Sequence, residues 1–321
     1  MLPAALAALV SSYLVAGVQS RRFPGLGISG VDIHKLERPM RAEMGGIAIL
    51  AGLSAGSAIY VLSIELGGGL WFAFLAVFST IALTGLVGVA DDRLVLGQTL
   101  KPILIVAASA PIAYYLLGRT SVFIPTIGNI NLGLLYPLVA VPLAETASAN
   151  FANLLAGFNG LEAGCASISL GTMSVIAYIT GQYSTAAFGV VITFAFLGFL
   201  RQNWYPSKIF PGDTGTLVAG SALAAMGLSA GLEFQAIVLS VPAAMDFTLK
   251  MMDRHPFKQR SIFGNTTVRP DGVLLPPDYP AMVHAFMKVS PVDERGLVYS
   301  VLVMQALYAG IALAVTLLFY R

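Results

Sequence analysis

Ten apolar segments, each long enough to cross a bilayer as a helix, dominate this chain of 321 residues. About 20 apolar residues span the hydrocarbon core, and hydropathy predicts helices over residues 2–20, 43–63, 70–90, 102–118, 132–149, 161–180, 185–201, 214–231, 233–252 and 297–320. Only 11% of the residues are charged, whereas soluble proteins carry about 25%. The sequence predicts an all-α polytopic membrane protein with one domain over 1–321, and it excludes a soluble enzyme, a disordered chain and a disulfide scaffold.

The basic residues set the predicted orientation. If the N-terminus lies outside, 16 of the 18 Lys and Arg residues fall in cytoplasmic loops, and only Arg119 and Arg321 fall outside. This bias follows the positive-inside rule, so both termini are predicted outside a cell membrane and the polar motifs on the cytoplasmic side. The net charge of +2 gives no electrostatic footprint for nucleic acid, and we expect no such partner.

The longest predicted cytoplasmic segment, residues 253–296, precedes the last span. Within it, the run Ser261–Arg269 followed by Pro270-Asp271-Gly272 predicts a small hairpin that turns at the Asp-Gly pair. Just before this hairpin lies a basic cluster that suits phosphate oxygens. Ordinary cytoplasmic charge or contact with anionic lipid heads is the alternative for that cluster, which comprises Lys258, Gln259 and Arg260 beside Arg254, His255 and Arg269.

Two adjacent carboxylates, Asp91 and Asp92, close the third predicted span, and Lys101 opens the fourth. Such a pair can bind a hard cation or act as a base, although a solvated helix end is the alternative. Two anions near a helix C-terminus oppose the helix macrodipole. The position of these two carboxylates is therefore electrostatically unfavourable for the helix. A role in function explains their presence better than a role in ending the helix.

Carboxamides and glycines concentrate in two further segments. Asn150 and Asn153 are three residues apart and share a helix face, and Gly157 allows a close backbone approach. A simple turn is the alternative there. The second segment is Asn203–Gly215, in which Asp213 resembles an N-cap of the eighth span. Capping is compatible with metal binding by the same residue, and capping alone is the alternative. Together, carboxylates, carboxamides and a basic clamp on one membrane face indicate Mg²⁺-dependent phosphoryl transfer.

The motifs resemble, in order, those of the polyprenyl-phosphate N-acetylhexosamine-1-phosphate transferases, glycosyltransferase family 4. Among these, the chain is most similar to the dolichyl-phosphate GlcNAc-1-phosphotransferase branch. The resemblance covers nearly the whole chain. It is carried by Asp32-Ile33-His34-Lys35 with Glu43, Gly88-Val89-Ala90-Asp91-Asp92, Asn159-Gly160-Leu161-Glu162-Ala163-Gly164 after Asn150 and Asn153, Asn203-Trp204-Tyr205-Pro206-Ser207, Gly212-Asp213-Thr214, and Pro291-Val292-Asp293-Glu294-Arg295.

The resemblance implies a ten-helix fold that transfers GlcNAc-1-phosphate from UDP-GlcNAc to a polyprenyl (dolichyl) phosphate and releases UMP. This is the first membrane step of lipid-linked oligosaccharide synthesis for N-glycosylation, and it is sensitive to tunicamycin. An apolar groove would hold the lipid, and a homodimer is possible. In the implied site, Asn153 and Asp213 bind Mg²⁺ (or Mn²⁺), and Asp91 and Asp92 lie beside the metal and the acceptor phosphate. Lys101 and Arg260 neutralise the diphosphate, and residues Lys258–Arg260 contact the sugar. The nucleotide is contacted by Ile33, Glu43, Asn150, Gly157 and Asn159.

Several departures from that branch keep alternatives open. Lys258-Gln259-Arg260 stands where eukaryotic members have Arg-His-Arg, and Val95 and Gln98 replace an Asn and a Trp. The eukaryotic insertion before the last helix is absent, which points to an archaeal plasma-membrane protein rather than one of the endoplasmic reticulum. The alternatives are a related hexosamine-phosphate or phospho-MurNAc-pentapeptide transferase, an inactive scaffold, and a transporter or scramblase.

Overall fold

Helices account for most of the computed structural model, which describes residues 1–62, 69–155, 157–252 and 266–320. A helix occupies each of the ten segments that hydropathy predicts. The segment 102–118 holds two helices, and among the described residues one further short α-helix, Met282–Val289, lies outside the predicted segments. The bounds are α1 (Leu2–Arg22), α2 (Gly46–Leu62), α3 (Gly69–Leu94), α4 (Leu100–Ala108), α5 (Ala110–Tyr115), α6 (Val141–Leu154), α7 (Leu161–Ile179), α8 (Tyr183–Asn203), α9 (Gly212–Ala230), α10 (Glu233–Met251), α11 (Met282–Val289) and α12 (Glu294–Phe319).

Five of these helices are individually long and apolar enough to cross a membrane, as judged by length and hydropathy over the described residues. They are α1, α3 from Trp71, α7, α8 and α12, and α2 and the α4–α5 pair are shorter apolar helices. The chain is therefore a helical membrane protein. The count of ten spans and the orientation of the termini stay predictions.

Prolines divide two of the predicted spans. Hydropathy predicts one helix over residues 102–118, but α4 ends at Ala108 and α5 begins at Ala110. Pro111 lacks the N–H that a continuous helix would use at that position, and Thr80 Oγ1 accepts the next N–H, from Ile112, at 3.2 Å. Upstream of α6, a π-helical turn over Tyr136–Ala140 replaces the start of the predicted 132–149 helix.

Three small antiparallel hairpins lie between the helices in the described part of the chain. The predicted hairpin turns at Asp271-Gly272 as expected, with Gly272 at a φ of +84°. The other two hairpins were not predicted from the sequence. The three pairs are β1 (Ser29–Val31) with β2 (Met40–Ala42), β3 (Ser121–Ile124) with β4 (Gly128–Asn131), and β5 (Thr267–Val268) with β6 (Leu274–Leu275).

Helix α9 is the centre of the bundle. Every residue from Thr214 to Leu228 is buried, and the helix packs against α3, α6, α7 and α10. Small residues permit these approaches, as in other membrane bundles. A Cβ at Gly88 of α3 would lie 2.5 Å from the Thr214 Cα atom. The N-terminus of α9, which carries Asp213, is therefore fixed by its neighbours.

Two buried carboxylates inside the bundle, Glu145 and Asp246, serve as hydrogen-bond partners. Glu145 Oε2 accepts a hydrogen bond of 2.9 Å from Ser221 Oγ. Asp246 accepts a 2.8 Å bond from the backbone N–H of Met282, which opens α11, and lies 2.6 Å from Lys250 Nζ. Both groups stabilise contacts between helices.

Candidate active site

Four helix ends meet at one end of the bundle and bring together the charged residues that the sequence singled out. Asp91 and Asp92 lie in the last turn of α3, and Lys101 lies in the first turn of α4. Asn153 lies in the last turn of α6, and Asp213 in the first turn of α9. Residues far apart in the sequence therefore form one cluster.

The Lys101 ammonium group lies among three side-chain oxygens from three other helices. Its Nζ atom is 2.7 Å from Asp91 Oδ2 and 3.1 Å from Asp213 Oδ2, and it donates a 3.0 Å hydrogen bond to Asn153 Oδ1. Asp91 and Lys101 are both buried, with 3% and 7% of their surface exposed. Three oxygens from separate helices thus surround a position that a cation occupies.

Hydrogen bonds set the orientation of the Asn153 carboxamide. Its Nδ2 atom donates to Asp213 Oδ1 at 2.6 Å and to Thr216 Oγ1 at 2.8 Å. Because these two bonds use both amide hydrogens, the carbonyl oxygen is left to face Lys101. Thr216, which the sequence analysis missed, therefore orients one of the predicted metal ligands.

The Asp92 carboxylate caps helix α9 rather than standing free at the end of α3. Oδ1 accepts the backbone N–H of Asp213 at 2.7 Å. Oδ2 accepts the N–H of Thr214 at 3.1 Å and its hydroxyl at 2.6 Å. An anion at a helix N-terminus is favourable, which offsets its poor position on α3. The alternative that Asp213 caps α9 is wrong, since Asp92 performs that role.

A cavity of about 380 Å³ opens beside this cluster. The predicted residues Ile33, Glu43 and Gly157 line it together with Asp92, Asn153 and Asp213. Burial raises the pKa of the Glu43 carboxyl above its usual range, and the charges of Asp92 and Asp213 raise it further. The cavity is therefore rich in negative charge. Its wall also includes residues that the sequence analysis did not select, namely Val31, Asp32, His34, Phe158, Glu162, Phe210, Pro211, Gly212 and Thr216.

Asn159 lies behind the cavity wall, where its side chain and backbone bind three segments together. Its Nδ2 atom donates to Asp32 Oδ2 at 3.2 Å, and its Oδ1 atom accepts the N–H of Ser207 at 2.6 Å. The Asn159 backbone N–H donates to Glu294 Oε1 at 2.8 Å. With only 2% of its surface exposed, Asn159 holds the cavity wall in place.

Lys35 supplies the positive charge of this network. Its ammonium group pairs with Glu294 and lies 3.4 Å from Asp32 Oδ2. The ligand atoms of Asp32, His34 and Glu294 lie within 4.8 Å of one another, a spacing that could hold a metal ion. Since Lys35 already neutralises two of them, this cluster is a structural ion-pair network.

For two sets of predicted residues the structure shows no position in the charged cluster or beside the cavity wall. Asn150 lies one turn before Asn153, but its Nδ2 atom donates to the carbonyl of Thr146 in the same helix, at 2.7 Å, and it does not line the cavity. The basic cluster Lys258, Gln259 and Arg260 lies outside the described residues.

An apolar groove of about 370 Å³ runs along α6, α9 and α10. Leu143, Phe151, Leu228 and Ile237 are among its lining residues. A small internal space between α6, α7, α9 and α10 shares Phe151 with this groove and Thr216 with the charged cavity. The lining residues of this internal space therefore lie between the apolar groove and the charged cavity.

Comparison with known proteins places the chain among sugar-phosphate enzymes. Residues 74–231 match the profile of Glycosyl transferase family 4. A protein of Sulfolobus acidocaldarius is 31% identical over 308 residues, 95% of this chain and 91% of its own length. The chain belongs to glycosyl transferase family 4.

The relatives of this family 4 protein carry two kinds of name. The Sulfolobus acidocaldarius protein is provisionally named a UDP-N-acetylglucosamine–dolichyl-phosphate N-acetylglucosaminephosphotransferase. The same provisional name belongs to a Saccharolobus solfataricus protein, 33% identical over 88% of this chain and 86% of its own. A phospho-N-acetylmuramoyl-pentapeptide-transferase of Geobacillus sp. is 35% identical over 61% of this chain and 63% of its own.

The donor set of this family 4 site fits a divalent cation such as Mg²⁺. Hard cations prefer carboxylate and carbonyl oxygens, which Asp91, Asp213 and Asn153 present toward one point. Among the described residues of the cluster, Asp91 and Asp213 both contact the Lys101 ammonium group, and the Asp92 carboxylate lies next to Asp213 on its backbone N–H. This excess of negative charge leaves room for a further cation.

Proposed function

We propose that this protein transfers GlcNAc-1-phosphate from UDP-GlcNAc to a polyprenyl (dolichyl) phosphate, which releases UMP and forms GlcNAc-diphospho-lipid. The observation that carries the proposal is the convergence of Asp91, Asn153 and Asp213 on one cation position. That position lies between a polar cavity and an apolar groove. Membership of family 4 and the names of the archaeal relatives support it.

In the proposed reaction, an acceptor phosphate oxygen attacks the β-phosphorus of UDP-GlcNAc. A new P–O bond forms to the lipid phosphate, and the bond from the β-phosphorus to the bridging oxygen breaks, so that UMP takes the electron pair. A phosphate monoester with a second pKa of about 6 is mainly a dianion at pH 7. The attacking oxygen then carries no proton, and catalysis rests on positioning and charge neutralisation.

We assign Asn153 and Asp213 as ligands of Mg²⁺, or of Mn²⁺. The bound ion would neutralise diphosphate charge and orient its oxygens. Asp92 holds the N-terminus of α9, and with it Asp213, in position. Asp91 holds Lys101, whose ammonium would meet the charge that develops on the diphosphate, as Arg260 would from the basic loop.

We place the nucleotide in the charged cavity. Ile33, Glu43 and Gly157 would contact it, because these residues line the wall next to the cluster. Asn159 would position the cavity wall without touching the nucleotide. Asn150, one turn before Asn153 in α6, would support the position of Asn153. For the sugar we keep the assignment of Lys258, Gln259 and Arg260 that the motif resemblance implies.

We place the acceptor lipid in the apolar groove along α6, α9 and α10. Its lining of Leu, Ala, Ile and Phe side chains suits a polyprenyl chain. The groove approaches the cluster through Phe151 and Thr216, so a lipid phosphate can reach the cation position while its chain stays in the bilayer.

The proposal includes a single domain with ten spans, both termini outside, and an active site that faces the cytoplasm of an archaeal cell. The distribution of the 18 basic residues supports this orientation. Epitope tags joined to residues 1 and 321 report the side of each terminus directly. In vesicles of known orientation, we expect both tags to be protected from a protease added on the cytoplasmic side, and digestion of either tag would contradict the proposed orientation.

A donor panel tests the proposed function against its nearest alternative. UDP-GlcNAc, UDP-GalNAc and UDP-MurNAc-pentapeptide are each supplied with a defined polyprenyl phosphate, and UMP release is measured. We expect release from UDP-GlcNAc. The Geobacillus relative makes the pentapeptide donor the second candidate, and UMP release from that donor alone would establish it instead.

Gly212→Ala should slow the reaction because it disturbs the cap of α9. Gly212 has a φ of +66°, and an added Cβ would lie 2.7 Å from Asp92 Oδ2. A left-handed alanine costs about 1–2 kcal/mol, and the close contact would displace the carboxylate. We expect UMP release to fall roughly tenfold. Gly118→Ala, where no atom lies within 4 Å of an added Cβ, is the control and should keep full activity.

Glu294→Gln should weaken nucleotide binding rather than the chemical step. The change removes the charge that pairs with Lys35 and keeps an acceptor for the Asn159 N–H. We expect the KM for UDP-GlcNAc to rise roughly tenfold with little change in kcat. Glu37→Gln alters an exposed residue of the same segment as Lys35 and should have no effect. A fall in kcat at constant KM would contradict this positioning role.

A further inference from the structure

A second cavity, of about 370 Å³, lies on the bundle away from the active site. It is formed by the C-terminal ends of α1 and α8, strand β2 and the segment that follows α8. It shares no lining residue with the charged cavity of the active site. None of the roles proposed above uses it.

The polar lining of this cavity can donate hydrogen bonds and carries only positive charge. Three lining residues are basic, and none is an Asp or a Glu. Hydroxyl and amide groups add further donors. The polar lining side chains are Tyr13, Ser20, Arg21, Arg41, Gln202 and Lys208.

The three cations are not neutralised within the part of the chain that the structure describes. The seven salt bridges found there involve other residues. The Nε atom of Arg41 is buried and has no hydrogen-bond partner. Three neighbouring cations with unused donors favour an anion, and guanidinium groups match phosphate oxygens in particular.

The position of the cavity selects a lipid as the source of that phosphate. Tyr13, Gly17 and Arg21 follow one another at four-residue intervals along one stripe of α1. The same helix also exposes Val10 and Leu14, with 46% and 57% of their surface accessible, and both lie farther from its C-terminal end than Arg21 does. Charge at the helix end and apolar surface below it match the headgroup and acyl chain of a phospholipid.

We propose that this cavity binds the phosphate headgroup of an anionic phospholipid. Two of the segments that line it, β2 and the segment around Lys208, continue along the chain to residues of the active site. The Phe210 N–H donates to the Ala42 carbonyl at 2.8 Å, which joins the Lys208 segment to β2. Glu43 and Asp213 follow within a few residues. The lipid site therefore braces the two segments that support the cluster.

Native mass spectrometry of the full-length protein in detergent tests the proposal through binding, without reference to transferase activity. The probes are phosphatidylglycerol and phosphatidylcholine with identical acyl chains, and inorganic phosphate is the competitor. We expect phosphatidylglycerol to bind at least about tenfold more tightly than phosphatidylcholine. Millimolar phosphate should leave it bound, because the acyl chains contribute to the affinity.

Arg21→Gln with Lys208→Gln is the deciding variant, since both side chains are exposed and their loss leaves the fold intact. We expect phosphatidylglycerol to bind at least about tenfold more weakly. Arg22→Gln with Arg201→Gln removes two exposed charges from the same helix ends outside the cavity, and should leave binding within about twofold of the original. Equal losses in both doubles, equal affinity for the two lipids, or displacement by phosphate would each overturn the proposal. Because the readout is lipid binding, a failed transferase assay would leave this result unaffected.

Discussion

Asp213→Ala is expected to lower the rate of UMP release by more than about a hundredfold, with the protein still folded. Asp213 presents one oxygen to Lys101 and the other to Asn153, so its loss removes a proposed metal ligand and the group that orients the second. The helix should persist, because its N-terminus is held by Asp92. Activity is measured as UMP release, and folding as the apparent unfolding temperature in detergent.

Asn153→Ala should have a comparable effect for the same reason. Asp271→Ala and Asn129→Ala change exposed residues of the hairpins and provide charge-matched and amide-matched controls, which should retain full activity. Raised Mg²⁺ concentrations should partly restore UMP release by Asp213→Asn but not by Lys101→Met. That result would show that the Asp213 variant loses activity through weaker metal binding. Full activity in either alanine variant would remove the metal assignment.

Lys101→Met is expected to abolish turnover and to destabilise the protein. The methionine keeps an unbranched side chain but leaves Asp91 buried, 3% exposed, without its partner. Breaking a buried ion pair costs about 3–5 kcal/mol, so the apparent unfolding temperature should fall. UMP release should fall at least about a hundredfold, since the proposed transition-state charge loses its neutralising group.

A double variant separates the two effects of Lys101. Asp91→Asn combined with Lys101→Met removes both buried charges, so the unfolding temperature should recover toward the original value. Turnover should stay low, because the ammonium group is still absent. Lys288→Met, on an exposed position of α11, controls for the loss of a surface charge. Recovery of activity in the double variant would contradict a chemical role for Lys101.

The sequence predicted the helices and the membership of the cluster because both depend on local signals. Apolar length marks each helix. Charge is rare enough that Asp91, Asp92, Lys101 and Asp213 stand out, and Asn153 stands out through its spacing from Asn150. The structure shows which atoms of these side chains contact one another. That Asp92 caps α9, and Asp213 does not, depends on a contact between residues far apart in the sequence.

Other parts of the site left no local signal. Thr216 orients Asn153, and Phe210 lines the charged cavity, but each looks in sequence like an ordinary residue of an apolar segment. Lys35 and Glu294 belong to motifs that the resemblance quoted without a role, and only the folded chain brings them to Asn159. Long-range packing decides these roles.

The fate of the β-phosphate tests the central claim most directly. UDP-GlcNAc labelled with ³²P at the β-position is incubated with the protein, Mg²⁺ and a polyprenyl phosphate, and the label is followed in the lipid and nucleotide fractions. Transfer of GlcNAc-1-phosphate predicts that the label enters the lipid and that unlabelled UMP appears in equal amount. Neither product should form when the polyprenyl phosphate is omitted or when Mg²⁺ is chelated. Label recovered as UDP, or flux of donor across vesicles with no UMP, would contradict the account.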